Sequence, residues 1–198
     1  MVKQALLRAK VGLILWLTLS ACGQHSANKP VIPNIFVSAD KDGWQRREGR
    51  LWLNNEPFSG WQYQCQASGD TTFVGAYSGG KAEGKHWSWH ENRRVKEIRQ
   101  YRKGWQEGQQ RGWYESGSPA FLYLFQHDVY EGPAREWYPD GRTARFMHYH
   151  EGQENGRQQM WFADGSLQAN YVVREGRTYG FTGVKNCVTV GDSLYGTP

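Results

Sequence analysis

Three thiols (Cys22, Cys65 and Cys187), six histidines and a set of recurring carboxylates are the side chains here that could act as nucleophiles, bases or metal ligands. His148 and His150 would put two imidazoles on one face of a strand. Zinc takes three or four ligands, and no Cys or acid cluster completes the set. Asp140 and Asp164 each precede a glycine, where Asp is favoured for the backbone of a turn. Glu83, Glu107 and Glu131 recur at a fixed interval, each before a glycine, and read as structure. No phosphate-cradling loop and no nucleophile with a base at useful spacing is visible, so the chain reads as non-enzymatic, with no metal and no cofactor. What remains is contact chemistry. Trp89, Trp113, Trp137 and Trp161 form one aromatic row, and His90, Tyr114, Tyr138 and Phe162 form another. Aromatic rows left partly exposed on a sheet mark binding surfaces, so Trp89, Trp113, Trp137, Trp161, Tyr114 and Tyr138 are the candidate partner-binding residues.

The elements that position these rows follow from an internal period. Gly60, Gly84, Gly108, Gly132, Gly156 and Gly180 are spaced by 24 residues, and the tryptophan row keeps the same interval, with Cys65 in its first place. Gly69, Gly117, Gly141 and Gly165 form a third row, with Arg93 as its exception. Gly80, Gly104, Gly152 and Gly176 form a fourth, broken by Asp128. Tyr77, Tyr101, Phe125, Tyr149 and Val173 form a fifth. Such self-similarity marks a repeat architecture. Each unit reads as two strands and two turns, because Gly recurs too often for a helix of ordinary length and no helical periodicity survives. Asp140-Gly141 predicts a two-residue type I′ hairpin, and the Gly152 row a longer second turn. On that register Trp137 lies opposite Ala144, Tyr138 opposite Thr143 and Gly132 opposite Tyr149. The glycine row would give the opposing ring a bare backbone to lie on.

The chain has 198 residues, with 15% aromatics, 10 Trp and 24 Gly. That is too aromatic for a disordered chain. The first 21 residues differ from the rest: Lys3, Arg8 and Lys10 precede the apolar run Val11–Leu19, as in a signal peptide too short to span a bilayer. Without them 21 basic residues face 19 acidic ones, so a nucleic-acid partner loses its support. Leu19-Ser20-Ala21-Cys22 resembles the lipobox of bacterial lipoproteins, which implies lipidation at Cys22. The localisation expected is the bacterial cell envelope, with Gly23 favouring the outer membrane, facing the periplasm, in a Gram-negative host. The chain divides into a signal peptide (1–21), the lipidated Cys and a tether (22–46), the repeat array (47–183) and a C-terminal strand or tail (184–198). Export would permit a Cys65–Cys187 disulfide. Ten strands at ~4.8 Å would separate the two thiols by about 48 Å, which argues against it. Gly191-Asp192-Ser193-Leu194 spells the signature of a lipase family, but no strand–turn–helix context surrounds it.

GxxxxWYxDG, as at Gly132–Gly141, followed by an aromatic and a further glycine pair, resembles the MORN-repeat variant of bacterial YwqK-family antitoxins and related envelope lipoproteins. The lead-in LWLNNEPFSGW resembles the opening of such arrays. The resemblance implies an all-β fold: an elongated, open, single-layer antiparallel sheet of tandem 24-residue hairpins. It also implies a role in binding another protein. The function expected is an envelope-anchored immunity protein that binds a toxin or effector. The alternative is a scaffolding lipoprotein whose aromatic face takes peptidoglycan, glycan or lipid.

Overall fold

A computed structural model describes residues 30–183. The signal peptide, Cys22, Cys187 and the tail lie outside the described residues. Every regular element among the described residues is a strand. They are β1 (Phe36–Ser38), β2 (Trp44–Arg47), β3 (Arg50–Leu53), β4 (Glu56–Pro57), β5 (Gly60–Cys65), β6 (Thr71–Ser78), β7 (Lys81–Trp89), β8 (Val95–Arg102) and β9 (Trp105–Gln106). There follow β10 (Gly108–Trp113), β11 (Pro119–Gln126), β12 (Val129–Tyr130), β13 (Gly132–Trp137), β14 (Thr143–His150), β15 (Gln153–Glu154), β16 (Gly156–Trp161), β17 (Leu167–Arg174) and β18 (Arg177–Phe181).

One open sheet runs β1-β5-β6-β7-β8-β10-β11-β13-β14-β16-β17-β18, and β9, β12 and β15 pair with β8, β11 and β14. From β5 onward every pairing is antiparallel, as successive hairpins demand. Two features depart from the antiparallel single layer expected. First, β1 lies parallel to β5, so the sheet is mixed. Secondly, β2, β3 and β4 form a separate three-stranded sheet. It docks where Leu51, Phe58 and Tyr77 bury together, with Val37, Trp44, Leu53 and Ala82 against them. The backbone closes this join: Leu51 N donates to Gly80 O at 2.7 Å and Gly80 N to Phe58 O at 2.7 Å. Strands β1 and β2 thus fall largely within the 22–46 segment expected to be tether.

The two turns of each hairpin exchange the types expected of them. In the turns 66–70, 90–94, 114–118, 138–142 and 162–166 the first N–H donates to the fifth carbonyl, and the fourth N–H to the first carbonyl. Three residues therefore form each loop. Within Pro139-Asp140-Gly141 only Gly141 takes a positive φ, of 85°, so this is a three-residue loop closed by a left-handed glycine. The register slips by one beyond it: Trp137 pairs with Thr143 rather than Ala144, and Tyr138 bonds to Arg142 rather than Thr143. Gly132 does pair with Tyr149. The Gly152 row forms the two-residue turns instead. Glu151 and Gly152 have φ of 51° and 77°, and Lys103 and Gly104 have 52° and 92°, both central residues positive as type I′ requires. His127 and Asp128 take the same conformation, so Asp128 does the work of the missing glycine.

At Gly84, Gly108 and Gly132 no ring lies against the glycine, whereas a Cβ at Gly60 would meet the Phe58 ring at 2.9 Å. A Cβ at Gly84 would meet nothing within 4 Å, yet its φ is 69°. Only glycine adopts that conformation freely.

Candidate functional site

The tryptophan row sits where each hairpin kinks. The register shifts between Ser88 and Trp89, Gly112 and Trp113, Glu136 and Trp137, and Met160 and Trp161. A bulge of this kind re-aims the side chain beside it. All four rings are half-buried. Alternation along the strands puts them on one face with Ile98, Leu122 and Phe146. Among the described residues no ring pair joins one member of the row to the next, so the row is a series of separate rings and not a stack. Between two of them lies a cleft of about 200 Å³, lined by Arg111, Gly112, Trp113, Pro119, Phe121, Leu122 and Trp137.

The second row ties hairpin to hairpin. The Tyr114 hydroxyl donates to the Trp137 carbonyl at 2.7 Å, and the Tyr138 hydroxyl to the Trp161 carbonyl at 2.8 Å. His90 Nε2 meets the Trp113 carbonyl at 2.8 Å in the same way. Phe162 has no hydroxyl and is 49% exposed. At the opposite end of the hairpins the recurring glutamates do the equivalent. Glu83 accepts the N–H of Lys103, Glu107 that of His127 and Glu131 that of Glu151. Each of these N–H groups opens a two-residue turn, where the strand ladder leaves it unpaired. Both rows are therefore spent, at least in part, on joining neighbours.

The other face carries the buried row that the sequence reading missed. Gln62, His86, Gln110, Ala134 and Gln158 are all buried, Gln158 completely. Gln110 replaces a rung of the ladder: its amide donates to Gln100 O at 3.0 Å and accepts from Gln100 N at 2.8 Å. Gln158 donates to His148 O at 2.7 Å. His86 lies between Tyr77 and Tyr101, with ring centroids 5.1 and 4.5 Å away, and its Nε2 meets Ala76 O at 2.9 Å. Burial among these rings pushes its imidazole down to about 4. Further along, Tyr123, Phe125, Tyr130 and Tyr149 form a connected ring cluster. Tyr123 donates to Glu136 at 2.9 Å, and Tyr171 to Glu154 at 3.0 Å. Burial, then the adjoining carboxylate, pushes the Tyr171 phenol up to about 12. The signal for the buried row was present, since Gln62, Gln110 and Gln158 keep the period of the glycines.

The other expected sites are accounted for as follows. His150 Nδ1 meets Glu131 Oε1 at 2.9 Å, and among the described residues no three His, Cys, Asp or Glu side chains gather around a point a metal could occupy. Asp140 and Asp164 accept the N–H two residues on, from Arg142 at 3.0 Å and Ser166 at 2.8 Å, which caps their turns. Cys65 is half-buried, its Sγ 3.9 Å from Thr71 Oγ1. No helix among the described residues is long and apolar enough to cross a membrane. The chain matches no protein-family model and no curated protein.

Proposed function

We propose that the chain is a non-catalytic protein-binding module of tandem 24-residue MORN-like hairpins, held on the bacterial envelope by a lipid on Cys22. Its partner would be a toxin or effector acting at the membrane, which the module neutralises as an immunity protein. The observation that carries the binding reading is the tryptophan row: four half-buried rings, each at a bulge, on an open sheet whose residues 112–137 leave a cleft between neighbouring rings. Such partly exposed aromatic surface is what interfaces use as anchors. The lipobox-like Leu19-Ser20-Ala21-Cys22 supports the location.

The test is to purify the full chain with its acyl groups from its native membrane in mild detergent. One protein near 1:1, toxic when expressed without the chain, supports the reading. Retention on sacculi with no protein partner replaces it with a scaffolding role.

A further inference from the structure

The two faces of the sheet differ in how their charges are compensated. On the face opposite the tryptophans, Arg99 pairs with Glu97 at 3.1 Å and Arg145 with Glu136 at 3.6 Å. The tryptophan face carries Lys85, Arg111, Arg135 and Arg157 by strand alternation, and all four are exposed. None of the four makes an ion pair within 4.0 Å among the described residues. Arg111 and Arg135 stand two residues before Trp113 and Trp137, hence on the same face and beside the same rings. Arg111 lines the cleft between those rings, and the Arg135 guanidinium lies 5.3 Å from the Phe146 ring centre.

We infer that the tryptophan face is the docking face and that its occupant is an acidic protein surface, an assignment resting on the protein-binding reading above. Carboxylates of the partner would meet Arg111, Arg135 and Arg157, whose planar guanidinium groups suit a two-point carboxylate contact. An apolar side chain of the partner would enter the cleft between Trp113 and Trp137. Charge complementarity of this kind speeds encounter and rejects basic partners. A discrete cleft among half-buried rings suits a side chain better than a lipid surface, where tryptophans would stand out into the interface.

The experiment uses the full chain in nonionic detergent and a synthetic decapeptide alternating glutamate and phenylalanine, titrated by calorimetry and tryptophan fluorescence. Controls are the same peptide with lysine for glutamate and phosphatidylglycerol added to the micelles. The variant is the triple Arg111→Gln/Arg135→Gln/Arg157→Gln, with thermal melting to verify its fold. The expected result is binding of the acidic peptide only, weakened tenfold or more in the variant and in high salt. Equal binding by the variant overturns the inference, as does a larger fluorescence response to phosphatidylglycerol than to the peptide. If the variant still captures a native protein partner at full yield, the protein-binding reading stands and the acidic-surface assignment falls.

Discussion

The hydroxyl of Tyr114 donates to the carbonyl of Trp137 at 2.7 Å, across the boundary between one hairpin and the next. Tyr138 repeats the bond on Trp161. A single two-stranded hairpin is marginal in water. Here the central hairpins are fastened to their neighbours at both ends, by the Tyr114 and Tyr138 hydroxyls at the bulges and by Glu83, Glu107 and Glu131 at the two-residue turns. The bonds from Tyr114 and Tyr138 fall on Trp137 and Trp161, which also present half-buried rings of the row. Stability and the geometry of the tryptophan face are thus set by the same contacts.

Tyr114→Phe and Tyr138→Phe should each lower stability by about 1 kcal/mol, the net worth of a partly buried hydrogen bond. Denaturant melts of each variant check this. The rings remain, so a null effect in both would mean that ring packing alone joins the hairpins.

Glycines of this chain should fail for two different reasons. Gly141→Ala places a Cβ in open space but at φ 85°, and should cost about 1 kcal/mol through backbone conformation alone. Gly112→Ala has no such conformational penalty, but its Cβ would press into the Phe121 ring, and such overpacking costs about 1–3 kcal/mol. Arg93→Gly acts in the opposite direction: it relieves a φ of 66° and loses only an exposed ion pair to Asp70, so its melting midpoint should rise.

His86 makes stability depend on pH. Its folded pKa of about 4 lies below the unfolded value of 6.5, so the unfolded chain binds the extra proton between them. The contribution is fully present above pH 6.5 and is lost as pH falls toward 4, by about 3 kcal/mol at pH 4. His86→Gln places in this position the residue that fills it at 62, 110 and 158. Melts between pH 7 and 4 should show the wild type losing about 3 kcal/mol more stability than the variant by pH 4, once the carboxylates common to both are subtracted. An identical profile in the two proteins would show that the imidazole titrates normally.

The all-β class, the antiparallel hairpins and the pairing of Gly132 with Tyr149 were legible in the sequence because they rest on counting. The turn types were not, because Asp-Gly serves two geometries. In Tyr138-Pro139-Asp140-Gly141, Pro139 suits the first central position of a type I turn, and the same loop forms at 162–166 with Ala163 in that place. Asp140 then caps the N–H of Arg142 instead of adopting a positive φ. The three-stranded sheet was hidden for another reason: Leu51, Phe58 and Tyr77 meet only through tertiary packing, and nothing local announces it. The tryptophan row was visible as a row. Its unpaired cations were not, because they show only when strand register sorts Arg111 and Arg135 from Arg99 and Arg145.

Capture of a partner from the native membrane, by the wild-type chain and by Trp113→Ala/Trp137→Ala side by side, tests the proposed binding function most directly. The account predicts one protein near 1:1 on the wild type and its loss from a variant that still folds. Equal recovery on both chains would contradict it.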